Sequence, residues 1–270
     1  MGGYSSEFGI SLLSGSHVFD VLDPVRYDPV RLELHPGDGW KAFDASGIPL
    51  RFSERSWSII DVDGSERRID AILNLIHGHP GEDGTLAMAW EQAGIPYSSC
   101  SPAASALTFH KFWTNAVAER LGARVMPSVH VRRGTDESAV HAFMAEHPFP
   151  LFVKPCRSGS SYGVTRITSA DEWPEARDAA WSEDDELVVE QGVVGTELGC
   201  GAFVAPDGVR ILGITEIVPK KTFFDFEAKY HGASEETTPA RISDSAAEAV
   251  RQATLRLVDG MALRGFVRAD

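Results

Sequence analysis

A lysine and a glycine-rich loop stand together in the middle of the chain, where they could bind phosphate. Lys154 lies at the end of the apolar segment 151–155, and residues 157–163 form a loop rich in glycine and serine. A lysine ammonium and the backbone N–H groups of such a loop can hold a phosphate group. The chain has no GxxxxGK[ST] pattern, so this is not a Walker A loop. A hairpin with a surface lysine is the alternative that the motif alone leaves open.

Two glutamates, Glu190 and Glu197, flank a second glycine-rich connection, which could contact a nucleotide. Glu190 ends an apolar segment, and Gly192 and Gly195 follow it. Backbone groups in such a hinge can read a base, and a carboxylate can accept hydrogen bonds from ribose hydroxyls. A β-turn between two strands is the simpler interpretation of this segment taken alone.

Two further loops carry unusual sets of polar side chains. Residues 223–230 combine four aromatic side chains with a lysine and two acids, which is uncommon in a loop that only connects two elements. Burial of the phenylalanines is the alternative explanation. Residues 77–84 (HGHPGEDG) form a tight loop after an apolar run, and their carboxylates could simply cap the next helix.

The composition indicates a globular protein with an acidic balance of charge. The 270 residues are 43% hydrophobic and 24% charged, which excludes disorder, collagen and coiled coil as the main state. No apolar run reaches the roughly 18 residues of a membrane helix, and no secretory signal is visible, so we expect no membrane partner. The net charge of −14 argues against nucleic acid as a partner, although a few placed lysines could still bind a nucleotide.

The cysteines and histidines form no sequence motif for a metal or a disulfide framework. Cys100, Cys156 and Cys200 are odd in number and widely spaced. The nine histidines show neither an HExxH pattern nor zinc spacing. We therefore expect a cytoplasmic protein.

Hydrophobic periodicity predicts alternating strands and helices, which favours an α/β first domain. A buried parallel strand is expected at Ala71–Ile76 and a short strand at Ile95–Ser99, within a parallel sheet of residues 1–99. One helix is expected from Ser101 to about Leu121. The other predicted strands are 26–34, Val129–Arg132, Leu151–Val153, Val164–Ile167, Leu187–Glu190, Glu197–Val204, Val209–Val218 and one from Gly265. The other predicted helices follow the opening glycines and cover Leu86–Ala93, a stretch near 136–146 and Ser243–Leu263. A loop is expected from Lys220 to about Glu236.

In this order the segments resemble the D-alanine–D-alanine ligase family, a member of the ATP-grasp superfamily. The matching pieces cover essentially all 270 residues and are GGYSSEFGISLLSG, HGHPGEDG, GIPYSSCSPAASALTFHK, VKPCRSGSSYG, VVEQGVVGTE, FFDFEAKY, TPAR and FVRAD. The resemblance implies a Rossmann-like α/β N-terminal domain (1–99), followed by an α+β ATP-grasp fold. That fold would comprise a central domain (100–190) and an incomplete C-terminal domain (191–270).

The resemblance also implies a reaction, which is ATP-dependent ligation of two D-alanines for peptidoglycan precursor synthesis by a cytoplasmic homodimer. The carboxylate of the first D-alanine attacks the γ-phosphate, and the amine of the second D-alanine attacks the resulting acyl phosphate. Both steps develop negative charge, so the site needs cations and aimed donors more than a strong base.

Residues that match the family's motifs would take over its substrate-binding roles. Glu7 would bind the ammonium group of the first D-alanine, and His77 would line the same subsite. Ser160 and Tyr230 would join Glu7 in a hydrogen-bonded network that closes the site. A lid that carries Tyr230 would exclude water and protect the acyl phosphate.

Other matching residues would bind ATP and its metal. Lys111 and Lys154 would hold the phosphates, as compact charges suited to that task, and Lys229 would contact ATP from its loop. Glu190 and Val193 would read adenine through their backbone, and Glu197 would hold the ribose. Two further residues would act where the reaction takes place. Arg268 would stabilise the tetrahedral oxyanion, and Asp270 would bind Mg²⁺ or Mn²⁺.

The sequence departs from the family's pattern at both ends. The strand before the GGxSxE motif is absent, and so is the tail that supplies a Glu-x-Asn pair of metal ligands after Asp270. We therefore expect the chain as written to be poorly soluble and nearly inactive. Inside the motifs, Gly9 replaces a common acidic residue, and Gly192 replaces a bulkier residue that is often found in the hinge. Both substitutions are mild.

Three alternatives to D-alanyl-D-alanine synthesis stay open. A D-alanine–D-lactate ligase is the nearest, although Tyr230 favours the dipeptide. A non-catalytic remnant that binds nucleotide is favoured by the absent tail. An NAD-type oxidoreductase is the weakest, because GGYSSE lacks the full GxGxxG spacing.

Overall fold

The computed structural model describes residues 1–61, 63–219 and 234–270. The chain forms two compact units, Met1–Ala106 (unit 1) and Leu107–Asp270 (unit 2). The expected finer division near residue 190 stays a prediction. Within the described ranges, no helix combines the length and the apolar character needed to span a bilayer. The helices are α1 (Phe8–Val21), α2 (Thr85–Ala93), α3 (Pro102–Phe109), α4 (Lys111–Arg120), α5 (Ser138–Glu146), α6 (Trp173–Trp181) and α7 (Asp244–Gly260).

Unit 1 contains a five-stranded antiparallel sheet whose strands pair in chain order. Its core includes an aromatic cluster in which the ring of Trp57 contacts that of Trp90, with centroids 5.9 Å apart. Trp90 is fully buried because the apolar face of α2 packs into this core. The strands are β1 (Arg31–His35), β2 (Gly39–Phe43), β3 (Pro49–Ser53), β4 (Ser58–Ile60) and β5 (Glu66–Arg68).

The parallel strands expected in unit 1 do not form as regular strands. Segments 71–76 and 95–99 are joined by an isolated parallel bridge instead. Side chains compete with the ladder: the Asn74 N–H donates to Ser98 Oγ at 3.0 Å, and the Ile76 N–H donates to Asn74 Oδ1 at 3.2 Å. Because these backbone donors are already satisfied, continuous pairing between the two segments is interrupted.

Unit 2 contains two four-stranded antiparallel sheets. The first has the order β6-β9-β7-β8 and the second the order β12-β11-β10-β13. The first sheet packs against α5 and α6, and α7 packs against the second. The strands are β6 (Ser128–Arg132), β7 (Leu151–Pro155), β8 (Thr165–Ile167), β9 (Glu186–Gln191), β10 (Glu197–Ala205), β11 (Gly208–Pro219), β12 (Ser234–Thr237) and β13 (Gly265–Ala269).

Alternation along β7 explains how the first sheet of unit 2 places its functional side chains. Leu151 and Val153 are fully buried and join a core that includes Trp173. Phe152 and Lys154 have the opposite orientation because successive side chains of a strand point to opposite faces. Lys154 therefore lies on the partly exposed face of β7.

The helix expected from Ser101 to Leu121 is interrupted at His110. The backbone of His110 is extended (φ −99°, ψ 100°), and its side chain accepts a hydrogen bond from the Trp113 N–H. His110 therefore caps α4, which begins at Lys111, instead of continuing α3.

The end of the loop expected over 220–236 also differs from expectation, because residues 234–237 form β12 and pair with β11.

Candidate active site

The loop before α1 and the loop after residue 76 lie against each other in unit 1. Ser5 Oγ donates a hydrogen bond to the His77 carbonyl at 2.8 Å and accepts one from the Glu7 N–H at 3.3 Å. Glu7 is 4% exposed, directly before α1. The ring of His77 is held by α1, because its Nε2 lies 3.2 Å from Ser14 Oγ.

Gly78 allows the close approach of these two loops. Its φ of +73° favours glycine, and a Cβ added there would lie 2.6 Å from Ser5 Oγ and 3.6 Å from Glu7 Oε2. Any larger residue would push the loops apart. The structure therefore brings the predicted substrate residues Glu7 and His77 into one region of unit 1.

A second carboxylate, that of Glu82, lies beside the same loop, although the residue as a whole is exposed. Its Oε2 accepts a hydrogen bond from the Gly78 N–H at 2.6 Å. Desolvation of its carboxyl group raises the pKa of Glu82, with a further contribution from the charge of Glu7, while the Gly78 N–H and His77 oppose the shift. Two carboxylates beside a histidine suit a small ligand with an ammonium group.

Lys154 lies close enough to Lys111 in unit 2 to lower the pKa of Lys111. Burial of the ammonium group is the main reason that the pKa of Lys111 falls to about 8, and the positive charge of Lys154 lowers it further. Lys111 Nζ donates to the Ser158 carbonyl at 2.5 Å, and its backbone N–H donates to the Cys156 carbonyl at 3.0 Å. Two neighbouring, partly desolvated lysines are an arrangement that a polyphosphate would stabilise.

Glu190 and Asn115 hold Lys154 in place. Lys154 Nζ lies 2.5 Å from Glu190 Oε2, and Asn115 Nδ2 donates to Glu190 Oε1 at 3.0 Å. The lysine also lies over the Phe152 ring, with Nζ 5.6 Å from the centroid. The side chain of Glu190 thus positions Lys154, while its backbone lies in β9 opposite Ser128 of β6 and Phe152 of β7.

The loop after β7 turns sharply at Ser160 and Ser161. Both residues have left-handed backbone angles, with φ of +50° and +62°. The turn is closed by the Tyr162 N–H, which donates to the Gly159 carbonyl at 3.0 Å. Ser160 is 8% exposed, so its hydroxyl is held in a defined place rather than in solvent.

The hinge between β9 and β10 exposes Val193 and leaves its backbone accessible. Within the described part of the chain, the Val193 N–H and carbonyl make no hydrogen bond, and the residue is 70% exposed. The Gly192 N–H donates to the Pro150 carbonyl at 2.9 Å, and a Cβ at Gly192 would lie 2.7 Å from that oxygen. Glycine at this position is therefore explained by close backbone approach.

Arg268 and Asp270 form a two-bond ion pair at one edge of the second sheet of unit 2. Arg268 Nε and Nη2 lie 2.7 Å and 2.9 Å from the Asp270 carboxylate oxygens. This hydrogen bond and charge raise the pKa of Arg268, and the charge of Glu197 contributes further. A Cβ added at Gly199 would lie 3.1 Å from Asp270 Oδ1, so β10 approaches the pair closely.

Asp270 fits a magnesium ion in the type of donor it offers. Its carboxylate supplies the hard oxygen ligands that Mg²⁺ prefers. Mg²⁺ usually keeps several waters and takes further ligands from substrate phosphates, so one carboxylate is a compatible protein contribution.

Two predicted residues, Lys229 and Tyr230, lie outside the described residues. Glu7 belongs to unit 1 and Ser160 to unit 2, so their expected network with Tyr230 stays a prediction.

Sequence reasoning missed the polar residues that support the site. Asn115 could have been noticed on the helix that begins with Lys111, four residues earlier. Ser5 lies in the same opening motif as Glu7, and Ser158 in the same loop as Ser160. Only the contacts of these residues distinguish them from ordinary loop and helix residues.

Comparisons with known proteins agree across almost the whole chain. The family model for the D-ala D-ala ligase N-terminus matches residues 1–100, and the model for the D-ala D-ala ligase C-terminus matches residues 117–270. The D-alanine–D-alanine ligase of Flavobacterium johnsoniae is 37% identical over 270 residues, which cover 100% of this chain and 83% of the relative. That of Phocaeicola vulgatus is 36% identical over 272 residues and matches 100% of this chain and 82% of the relative.

Solved structures give the same result. D-alanyl-alanine synthetase A from Vibrio cholerae has a TM-score of 0.82 and 30% identity, covering 99% of this chain and 81% of that one. The VanG D-Ala:D-Ser ligase from Enterococcus faecalis has a TM-score of 0.83 and 28% identity, covering 99% and 83%. These matches confirm the predicted fold class. The chain belongs to the D-alanine–D-alanine ligase family, whose members are ATP-grasp enzymes.

Proposed function

We propose that the protein uses ATP to join two D-alanines into D-alanyl-D-alanine through an acyl phosphate. Family membership supports the reaction class. The observation that carries the proposal is the pair of neighbouring lysines, Lys111 and Lys154, beside the turn at Ser160. This arrangement suits a reaction whose main requirement is to bind and neutralise transferring phosphate.

In the first step, a carboxylate oxygen of the first D-alanine attacks the γ-phosphorus, and the bond to the ADP oxygen breaks. Glu7 binds the ammonium group of this D-alanine, and His77 lines its subsite. Lys111 and Lys154 offset the negative charge that builds up on the phosphate oxygens. Glu190 keeps Lys154 directed toward them through the 2.5 Å contact.

In the second step, the deprotonated amine of the second D-alanine attacks the acyl carbon. The tetrahedral intermediate then expels inorganic phosphate, which leaves with the oxygen that came from the first D-alanine. Arg268 donates hydrogen bonds to the oxyanion of the intermediate. Ser160 and Tyr230, together with Glu7, close the site and keep water away from the acyl phosphate.

ATP binds unit 2 with its base against the exposed backbone of Val193 and the backbone of Glu190. Glu197 accepts hydrogen bonds from the ribose, and Lys229 contacts the nucleotide. Asp270 would hold Mg²⁺ or Mn²⁺, which supplies charge neutralisation at the β- and γ-phosphates. Arg268 then exchanges part of its contact with Asp270 for the oxyanion.

We also propose the setting of this activity. The dipeptide serves peptidoglycan precursor synthesis in the cytoplasm, and the protein acts as a homodimer. D-alanine is the second substrate. D-lactate is the competing nucleophile that could attack the same acyl phosphate. A nucleotide-binding remnant or an oxidoreductase would lack this chemistry, so neither would form the dipeptide.

The test is phosphate release by the chain extended with a family-like N-terminal strand and C-terminal tail, with ATP, Mg²⁺ and each candidate substrate. We expect release that requires D-alanine, with D-alanyl-D-alanine as the product by mass spectrometry. L-alanine is the matched control, and D-lactate and D-serine are competitors for the second position. ATP binding without phosphate release under any of these conditions would contradict the proposal and favour a remnant.

A further inference from the structure

Four side chains of unit 2 converge beside Lys111: His110, His130, Cys156 and Glu186. A ring nitrogen of each histidine and the Cys156 sulfur all lie within 4.8 Å of one another. Glu186 Oε2 lies 2.8 Å from His130 Nε2 and 3.6 Å from His110 Nε2. Two imidazoles, one thiol and one carboxylate are all ligand types that zinc takes in four-coordinate sites.

The buried histidine nitrogens of this cluster share one carboxylate, that of Glu186, as their charged neighbour. The side chains of His110 and His130 are 6% and 14% exposed. In the described ranges, neither Nε2 makes a hydrogen bond of good geometry. The carboxylate of Glu186 is shared with Arg132 at 3.2 Å and Arg157 at 3.1 Å, so it cannot serve both rings fully. One carboxylate shared by two buried rings and two arginines leaves the ring nitrogens short of partners, and buried polar atoms are nearly always paired, so the cluster has donor atoms available to a cation.

Neighbouring groups already orient the donor atoms. The ring of His130 stacks on Phe112, with centroids 4.7 Å apart and planes 12° from parallel. The Phe112 backbone N–H is directed at Cys156 Sγ. His110 is held at the start of α4 through its backbone, since the Thr114 N–H donates to the His110 carbonyl at 2.9 Å. A preorganised donor set of this kind loses little freedom when a cation binds.

We propose that His110, His130, Cys156 and Glu186 form a binding site for a zinc ion. Four protein ligands leave no open position, which is typical of a structural rather than a catalytic zinc site. The ligands come from the start of α4, from β6, from the residue after β7 and from β9. The ion would therefore fasten three strands of one sheet to the helix that begins with Lys111.

The site lies next to the proposed ATP lysines without including them. His110 directly precedes Lys111, and the Lys111 N–H donates to the carbonyl of Cys156. Zinc binding would thus fix the backbone of Lys111 and of the loop that starts at Cys156.

Proton balance is satisfied by the groups present. Burial, with the charges of Asp184 and Glu186, raises the pKa of the Cys156 thiol to about 12, so the thiol keeps its proton without a cation. When the zinc–sulfur bond forms, the S–H bond breaks and the proton goes to solvent. Burial lowers the pKa of His110, so its ring is neutral. Coordination through Nε2 moves its proton to Nδ1 and gives up the long 3.4 Å contact with Trp113.

The first test measures zinc affinity of the tag-free full chain by competition with a chromophoric chelator. We expect one Zn²⁺ per chain, and a loss of affinity beyond about 100-fold in both Cys156→Ala and His110→Asn, since even changes outside the ligand set cost about 10–100-fold. The matched controls are Cys200→Ala, at another fully buried cysteine, and His141→Asn, at an exposed histidine. Equal affinity in the wild type and both cluster variants would overturn the proposal.

A second test uses the unmutated chain and so does not depend on the folding of a variant. Co²⁺ in a tetrahedral site with a thiolate ligand gives intense visible bands and a sulfur-to-cobalt charge-transfer band. We expect both, with displacement by Zn²⁺ and no displacement by Mg²⁺. A weak spectrum without charge transfer would overturn the proposal. Neither test involves ligation, so failure here is distinguishable from failure of the proposed function.

Discussion

Lys154 Nζ lies 2.5 Å from Glu190 Oε2, so a lysine proposed to bind ATP phosphate is paired with the next-to-last residue of β9, before the hinge. The two residues come from neighbouring strands, β7 and β9, on the same face of the sheet. The side chains are 27% and 10% exposed, which makes this a partly buried pair. The pair gives unit 2 a fixed lysine position before any nucleotide is bound.

The Lys154–Glu190 pair should be energetically coupled. We expect a double-mutant cycle with Lys154→Ala and Glu190→Ala to give a coupling free energy of about 0.5–3 kcal/mol in denaturant unfolding. The matched control is the exposed pair Arg210–Asp207 in the same unit, where the coupling should be about 0–1 kcal/mol. Coupling in Lys154–Glu190 no larger than in the exposed pair would refute the claim that the lysine is held in place.

Removal of either site lysine should weaken ATP binding. Loss of a charge-assisted hydrogen bond costs about 1.5–3 kcal/mol, so Lys111→Ala and Lys154→Ala should each raise the Kd for ATP by about 10-fold to 150-fold. Lys41→Ala is the control, because Lys41 is an exposed lysine of unit 1 paired with Asp38. Calorimetric titration with ATP measures the effect. Unchanged affinity in both site variants would show that these lysines do not contact the nucleotide.

Ser160 and Ser161 form a natural matched pair, because both have left-handed backbone angles. Ser160→Ala should lower kcat/KM for D-alanine by about 10-fold to 100-fold through loss of a hydroxyl contact, and Ser161→Ala should change it little. Both variants carry the same backbone strain, so a difference between them reports the hydroxyl. Equal losses would mean that the turn matters but the Ser160 hydroxyl does not.

Glu82 should make the stability of unit 1 depend on pH. Although the residue is exposed overall, desolvation of its carboxyl group raises its folded-state pKa above that of an unfolded glutamate. At a pH below the unfolded pKa the carboxyl is protonated in both states, and nothing is lost. As pH rises through the window between the unfolded and the folded pKa, the unfolded state loses its proton first, and the free energy of unfolding falls.

Glu82→Gln removes this titration. The free energy of unfolding of the variant minus that of the wild type should therefore increase as pH rises and then become constant. The measurement is denaturant unfolding from about pH 4 to about pH 8, a range that spans glutamate titration. Glu54→Gln, at an exposed position of the same unit, is the control. A gap between Glu82→Gln and wild type that is constant with pH would contradict the assigned direction of the pKa.

Much of unit 2 could be predicted from sequence, because its signals are local. The alternation of buried and exposed residues in Leu151–Pro155 indicates β7, and the structure shows that strand. The break at His110 could not be predicted, because the apolar spacing continues through it. A side-chain cap and a backbone bond from Lys111 to Cys156 decide the break, and both depend on tertiary contacts.

The same limit applies to the candidate sites. The lysine and glycine motifs were visible because their residues are close in sequence. The cluster of His110, His130, Cys156 and Glu186 has no sequence motif, since its members lie far apart in the chain and meet only through the order of strands β6, β9 and β7. In unit 1, Asn74 broke the expected parallel pairing by bonding backbone groups that the ladder needs.

The central claim is that the first D-alanine is activated as an acyl phosphate. The most direct measurement is transfer of oxygen from D-alanine labelled with ¹⁸O in both carboxylate oxygens, with ATP, Mg²⁺ and the intact protein. The account predicts that each released inorganic phosphate carries one ¹⁸O and that the dipeptide keeps one label in its new peptide carbonyl. Released phosphate without label would contradict it, because the phosphate would then have come from attack by water.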